Sequence, residues 1–246
     1  MLKKITNRVY YMNYDNQKKH SLIGLIIGDK FSLIVDAGSS KEQSLEFLNI
    51  IEKMDIPSLK YLALTHSHDN HVLGAINFDL INIVNGMTSD KLKRNSKNES
   101  SLFSHIIYDE FLKVDLGGIV VELERIPSDH SRDCSIINIP TEKVVFLGDI
   151  LYSNRKSVEP CFSKDLMIPL LKELQCYEAD FYIASHNDVY SNESFMEYSK
   201  FLINIGKAVK ENNDFNDIKS KITQNKSFND DTLDMYIKAF ILGNKE

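Results

Sequence analysis

The sequence has 246 residues, of which 43% are hydrophobic and 26% charged, a composition typical of a folded protein and not of a disordered one. The 29 basic and 35 acidic residues give a net charge of −6. This mild, mixed charge shows no basic stripe, so nucleic acid is not expected as a partner.

The ends and the cysteines of the sequence exclude some further classes. The N-terminus lacks the apolar stretch of a signal peptide, and no apolar run approaches the roughly 20 residues of a membrane span. We therefore expect a cytoplasmic protein with no membrane partner. Three cysteines without a CxxC pair argue against a disulfide framework or a thiolate metal cage.

The first half of the chain alternates strand and helix patterns. The predicted elements are, in order, three strands within residues 8–14 and 21–36, a helix beginning after Ser39 or Ser40, a strand at 59–64, a short helix at about 71–77 and a strand at 80–84. In the first of these helices the apolar positions Leu45, Leu48 and Ile51, and after them Met54, follow helical spacing. This alternation predicts an α/β layer.

Residues 86–105 change in character, because they are rich in Ser, Asn and Lys and poor in large apolar groups. We expect a mobile surface excursion there, with one helical turn at most. Long polar excursions serve either as lids over a site or as plain solvated loops, and the sequence leaves both open. His105 lies at the end of this segment and is expected to be structural rather than a substrate contact.

The second half repeats the alternation and ends in helices. The predicted elements are strands at 111–115, 118–125, 135–139 and 143–147, a helix at about 164–177, a strand at 181–184, and helices from Ser191 onward. The apolar stripes of the last helices need no cofactor to explain them. We expect one domain over residues 1–190, with residues 191–246 forming a helical extension packed on that same domain.

The most informative stretch is the run THSHDNH at residues 65–71, which follows the predicted strand at 59–64. Three of the seven histidines in the chain fall within these positions. Side chains two apart in extended backbone point to the same side, so His66 and His68 can present two imidazoles to one ion. His71 lies beyond a change of backbone direction and is expected to face a second, adjacent ion.

Three more polar residues follow predicted strands, namely His130, Asp149 and His186. Each taken alone is more often structural, but together with the histidine run they make a set of imidazoles and one carboxylate. This set suits zinc, with iron or manganese as alternatives. The sequence therefore predicts a site for one or two metal ions.

These motifs and their order resemble the metallo-β-lactamase fold family, whose signature is T-H-x-H-x-D-H. The resemblance covers about residues 5–190 and implies a four-layer αββα sandwich with C-terminal helices after it. It also implies a role for each site residue. The first metal would be held by His66, His68 and His130, the second by His71 and His186, and Asp149 would bridge them.

One position departs from the family pattern. The signature's aspartate, a ligand of the second metal, falls on Asn70, while Asp69 occupies the variable position. An amide oxygen is neutral and a weaker ligand than a carboxylate, so the second site should lose affinity. A single-metal enzyme, a weak second site and an inward shift of Asp69 all remain open, and we favour the weak second site.

The function expected from these residues is metal-dependent hydrolysis of a small ester, thioester, lactone or phosphodiester, with Asn70 and Asp149 as the catalytic residues. No G-x-S-x-G motif is present, so metal-activated water is the expected nucleophile. One alternative is an iron-dependent oxidoreductase of the same fold, similar to sulfur dioxygenases. The other is a catalytically weakened binding protein, as a result of Asn70. The sequence does not fix the substrate or the oligomeric state.

Overall fold

The computed structural model describes residues 2–13, 15, 17, 20–95, 106–153, 159–186, 189–211, 213–222 and 228–244. The strands in these residues are β1 (Leu2–Lys4), β2 (Val9–Met12), β3 (Ile23–Ile27), β4 (Ser32–Val35), β5 (Leu59–Ala63), β6 (Ile81–Asn85), β7 (Ile106–Tyr108), β8 (Phe111–Asp115), β9 (Val120–Arg125), β10 (Ser135–Ile139), β11 (Val144–Gly148), β12 (Phe181–Ala184) and β13 (Val189–Ser191). The α-helices are α1 (Lys41–Ile51), α2 (Asp69–Val72), α3 (Gly86–Asn95), α4 (Lys164–Leu174), α5 (Asn192–Glu211), α6 (Phe215–Ile222) and α7 (Asp230–Gly243). Short 3-10 helices cover Leu73–Asn77 and Pro140–Glu142.

The chain divides into two compact units. The first unit comprises Met1–Ile126, Asp133–Asp149 and Ala179–Val189, and the second comprises Pro127–Arg132, Ile150–Glu178 and Tyr190–Glu246. The predicted division at residue 190 stays a prediction.

The strands form two mixed sheets, and nearly all of them belong to the first unit. The seven-stranded sheet has the order β1-β2-β3-β4-β5-β6-β7, antiparallel as far as β4 and parallel from β4 to β7. The six-stranded sheet has the order β13-β12-β11-β10-β9-β8, in which β11 and β12 are parallel. Every predicted strand is present, whereas the three-residue strands β1, β7 and β13 were missed because they are too short to show a pattern.

Strand β4 shows how the sequence builds two cores. Successive side chains of a strand point to opposite faces. Leu33 and Val35 therefore join the core between the sheets, together with Val121 of the second sheet. Ile34 points the other way and joins the core that contains Phe47 of α1. All four residues of β4 are buried, in keeping with its nearly continuous apolar sequence.

Helix α1 begins as predicted, but its buried face does not follow its apolar spacing. Ser40 is the N-cap, and its side chain accepts a hydrogen bond from the Gln43 N–H. The helix is present, but its apolar positions are not all buried: Leu45 is 48% exposed, whereas the polar Gln43 and Ser44 face inward. Gln43 is stable there since its amide donates to the carbonyl of Ser21 at 2.5 Å.

The expectation of a loop over residues 86–105 is wrong for residues 86–95. Residues Gly86–Asn95 form α3, in which Thr88, Ser89 and Leu92 are buried. The Thr88 N–H donates to the side-chain oxygen of Asn85 at 2.9 Å, which caps the first turn. Buried polar groups, rather than an apolar stripe, hold this helix in place. Residues 96–105, including His105, lie outside the described residues.

The second unit contains the helices predicted for the C-terminal part of the chain. In α4 the apolar residues Met167, Leu170, Leu171 and Leu174 are buried. Aromatic side chains join helices α5 and α7. The hydroxyls of Tyr198 and Tyr236 also form a 2.8 Å hydrogen bond between these helices. None of the helices in the described part of the chain is long and apolar enough to cross a membrane.

Candidate metal centre

The site is built at one edge of the seven-stranded sheet. Strands β4 and β5 are parallel, so their carboxyl ends meet at this edge. Asp36 follows β4 directly, and the histidine run follows β5. Open α/β sheets commonly bind ligands at such an edge, because the chain leaves the parallel strands there. The topology thus brings together two motifs that lie 29 residues apart in sequence.

Asp36 adopts an unusual backbone conformation and serves as an acceptor. Its φ of 57° lies in the left-handed region, which costs a non-glycine residue about 1–2 kcal/mol. The carboxylate accepts the Thr65 N–H at 2.8 Å and the Thr65 hydroxyl at 2.8 Å. It also lies 2.8 Å from Nδ1 of His71. These contacts stabilise the strained residue and fix both ends of the histidine segment.

The three histidines of the run lie close together. His68 is the N-cap of α2 and is half-buried, whereas His66 and His71 are fully buried. The Nε2 atom of His66 lies 3.1 Å from Nδ1 of His68. The ring centroids of His66 and His71 are 4.2 Å apart. His66 therefore sits between the other two rings, with ring nitrogens directed to a common region.

Asp149 reaches this region from the second sheet. It follows Gly148, whose φ of 55° and close approach to Thr65 leave no room for a side chain, since an added Cβ would lie 2.9 Å from the Thr65 Cβ. Asp149 is fully buried. Its Oδ2 lies 3.1 Å from Nε2 of His186 and 3.3 Å from Nε2 of His71. It lies 3.8 Å from Nε2 of His66.

These residues fit a divalent metal ion. The ligand atoms of His66, His71 and Asp149 all lie within 4.8 Å of one another. Among the described residues, the buried Nε2 of His71 has no hydrogen-bond partner, although its Nδ1 contacts Asp36. A buried nitrogen that faces a carboxylate and two other imidazoles is the donor arrangement that zinc and related ions take.

The charges of the buried carboxylates also favour a cation in the site. Burial lowers the pKa of His71, but the carboxylates of Asp149 and Asp36 outweigh it and raise that pKa to about 10. Burial also acts to raise the pKa of Asp149, yet His71 and then His186 hold it well below its usual value. The carboxylates thus require a positive charge among the histidines, and either a proton or a metal ion can supply it.

Asn70 lies beside these residues. Its amide nitrogen is 3.5 Å from Nε2 of His186, and its backbone carbonyl accepts a hydrogen bond from the Ser21 hydroxyl. The neighbouring Asp69 is exposed. The structure therefore directs the amide, rather than the carboxylate of Asp69, toward His186.

His130 belongs to the second unit. It is buried, and its Nδ1 lies 3.2 Å from the backbone oxygen of Ser153 in the same unit. Such a contact orients one ring nitrogen and leaves the other for a ligand role. Its assignment to a first metal with His66 and His68, like the other individual ligand assignments, stays a prediction.

The sequence analysis missed Asp133, a fully buried carboxylate. Its Oδ2 accepts the N–H of Ser67, the residue between His66 and His68, at 3.0 Å. The only available signal was its position between His130 and the strand that begins at Ser135, which does not distinguish it from an ordinary loop aspartate.

The fold and this group of side chains define an α/β sandwich with a histidine and carboxylate metal site. The family model of the metallo-beta-lactamase superfamily matches residues 18–186. The chain therefore belongs to the metallo-beta-lactamase superfamily, and its two sheets with flanking helices are the αββα sandwich expected from the sequence, with C-terminal helices.

Solved structures support the same fold. A metallo-beta-lactamase from Pontibacter korlensis has a TM-score of 0.65 and 19% identity, covering 81% of this chain and 97% of that one. TMB-1 has a TM-score of 0.64 and 17% identity, over 81% of this chain and 94% of its own. DIM-1 metallo-beta-lactamase has a TM-score of 0.64 and 17% identity, covering 81% of this chain and 95% of its own. A search of curated proteins gave no significant match.

Proposed function

We propose that this chain is a metal-dependent hydrolase that uses a metal-activated water on a small ester, thioester, lactone or phosphodiester. The observation that carries the proposal is the buried group of His66, His71 and Asp149. In this group Nε2 of His71 faces the carboxylate, and this nitrogen has no hydrogen-bond partner among the described residues. Zinc is the expected metal, with iron or manganese as alternatives, because the ligands are nitrogen and oxygen.

The residues that would hold the metal follow the sequence pattern. His66, His68 and His130 would hold a first ion, and His71 and His186 a second, with Asp149 shared between them. When bound, such an ion lowers the pKa of a water molecule to about 7 and polarises a carbonyl or phosphoryl oxygen of the substrate. A small molecule is the proposed class of substrate.

The protein's own groups prepare the site in two ways. The Asp36 carboxylate, 2.8 Å from Nδ1 of His71, accepts a hydrogen bond from the N–H at that nitrogen and so leaves the Nε2 lone pair for ligation. Asp149 is fully buried and provides the negative charge that holds a cation among the imidazoles. Neither group needs to move for this purpose.

Asn70 is the proposed substrate-facing residue. Its side chain is half-buried beside His186, whereas Asp149 is fully enclosed. A neutral amide there can donate a hydrogen bond to a substrate oxygen, which a carboxylate could not do. Its neutrality also weakens the second metal position, so we propose one tightly held ion and one loosely held ion.

The test combines metal analysis with a substrate panel. Protein purified without added metal should contain zinc and should hydrolyse at least one ester, thioester, lactone or phosphodiester. His68→Ala should lose metal and activity together. His20→Ala serves as a matched control, because His20 lies outside the site, where its backbone pairs with that of Asp15. Iron with oxygen consumption would instead indicate the oxidoreductase, and bound metal without turnover would indicate a binding protein.

A further inference from the structure

We infer that Asp133 is a positioning residue for the metal centre: anchored by Lys91, its carboxylate fixes the peptide N–H of Ser67 and thereby the two histidines on either side. This inference rests on the proposed metal centre but not on any substrate. The Asp133 side chain acts through the backbone of the segment that carries the proposed metal ligands.

The first step is the hydrogen-bond network around the Asp133 carboxylate, which includes donors from Lys91, Ser67 and Thr88. Lys91 Nζ lies 2.6 Å from Oδ1. The Ser67 N–H and the Thr88 hydroxyl donate to Oδ2 at 3.0 and 3.1 Å. A fully buried carboxylate is costly unless it is paired and hydrogen-bonded, so these contacts leave it a single orientation.

The second step is that the backbone of residue 133 is also held. Its carbonyl accepts the Asn85 side-chain amide at 2.8 Å. It also lies 3.1 Å from the Thr88 hydroxyl, whose single proton is shared between this carbonyl and Oδ2. Asn85 also donates to the Ser135 hydroxyl at 2.9 Å. Residue 133 is therefore attached to both β6, through its backbone carbonyl, and the start of α3, so the position of its carboxylate is fixed.

The third step is the place where this rigidity is applied. Ser67 lies between His66 and His68, and it is the Ser67 peptide that Asp133 binds. Side chains on either side of one extended residue point to the same face, so fixing that peptide fixes the direction of both imidazoles. Metal sites lose affinity when the groups that orient their ligands are removed.

Lys91 is the best residue with which to break the network. Its side chain is 36% exposed, so Lys91→Met removes the cation without opening a cavity in the core. Lys91→Arg keeps the charge. Asp133→Asn keeps an acceptor for Ser67 but loses the charge that holds Lys91. Lys113→Met is the matched control, because it breaks a 2.8 Å ion pair with Glu122 on the second sheet.

The experiment uses cobalt(II) alone as the probe, with the full chain freed of metal. Affinity is measured by competition with a chelator, and the visible absorption of bound cobalt reports the ligand geometry. Lys91→Met and Asp133→Asn should lower the affinity by about tenfold and shift the absorption bands. Lys91→Arg should restore both, and Lys113→Met should match the wild type.

The inference is overturned if Lys91→Met and Asp133→Asn keep the wild-type affinity and spectrum. It is also overturned if Lys113→Met loses as much affinity, because the effect would then reflect general stability. Should Asp133→Asn fail to fold, Lys91→Met decides alone. Wild-type protein that binds cobalt but hydrolyses nothing refutes the hydrolase and leaves this comparison intact, whereas wild-type protein that binds no cobalt refutes both.

Discussion

Two buried carboxylates, Asp36 and Asp133, hold the histidine segment by different means. Each accepts a backbone N–H of the segment and a buried threonine hydroxyl. The difference lies in the third partner, which is the ring of His71 for Asp36 and the ammonium of Lys91 for Asp133. Asp36 therefore contacts a proposed ligand directly, while Asp133 binds the backbone N–H of Ser67.

Their backbones differ as well. Asp36 is one of two non-glycine residues with a positive φ among the described residues, whereas Asp133 is not. The contacts of Asp36 must therefore offset a conformational cost that Asp133 does not carry. A carboxylate that combines strain, a ligand ring and a backbone donor should be the more sensitive of the two to substitution.

The largest expected effect follows from removing the Asp36 carboxylate. Asp36→Ala leaves the Thr65 N–H and His71 Nδ1 buried without their acceptor, so the free energy of unfolding should fall by about 2–3 kcal/mol. Metal affinity should fall by at least about tenfold, because the His71 ring then loses the acceptor that orients its Nδ1. Chemical denaturation and chelator competition measure the two effects.

Asp36→Asn and Asp29→Ala are the controls for this result. Asparagine tolerates a positive φ and keeps one acceptor oxygen, so Asp36→Asn should be milder than Asp36→Ala. Asp29 is 59% exposed and pairs with Arg8, so its loss should cost at most about 1 kcal/mol. If Asp36→Ala retained wild-type metal affinity, the direct role of this carboxylate would be excluded.

A smaller and more discriminating effect comes from the two threonines. Thr65→Val removes a donor to Asp36 that also lies 3.1 Å from His66, and Thr88→Val removes a donor to Asp133. Both are buried, so each should lower the free energy of unfolding by about 1 kcal/mol. Only Thr65→Val should also lower metal affinity strongly, by about tenfold, because Thr88→Val leaves the bonds of Asp133 to Ser67 and Lys91.

Thermal denaturation with and without zinc separates the two outcomes. The gain in stability on adding zinc should be smaller for Thr65→Val than for Thr88→Val, since binding stabilises a protein according to its affinity. Equal gains would mean that the two carboxylates support the site in the same way, and the contrast drawn between them would be wrong.

The contrast also shows how far the sequence can predict this molecule. The strand ends and the histidine run were visible because apolar runs and clustered imidazoles leave local patterns, and the family resemblance supplied their order. The buried face of α1 does not follow its apolar spacing, because Gln43 and Ser44 form hydrogen bonds inside the protein. Such satisfaction depends on partners distant in sequence and leaves no periodic signal.

Asp133 and α3 illustrate the same limit at the site. Thr88 and Asn85 bind residue 133, which lies 45 and 48 residues away in sequence. A polar segment that forms such bonds resembles a solvated loop when it is scanned for apolar periodicity. The histidines of the candidate site were therefore easier to find than the groups that contact them.

The most local expected effect concerns Asn70, because it involves the second ion alone. Asn70→Asp places a charge next to His186, whose Nε2 is 3.5 Å from the present amide nitrogen. A carboxylate is the stronger ligand for the second ion, so its Kd should fall by about tenfold, equivalent to about 1.4 kcal/mol. Zinc titration followed by calorimetry should show a second site of higher occupancy.

The charge-matched control is Asn49→Asp, at an exposed position of α1 that adds the same charge away from the site. In metal-free protein Asn70→Asp should be less stable than this control, because a second carboxylate then lies near Asp149, which is itself 3.1 Å from His186. Zinc should reverse that order, since the added charge becomes a ligand. Unchanged second-site occupancy in Asn70→Asp would show that the amide does not limit metal binding, and that the site's affinity is set by the histidines and the carboxylates behind them.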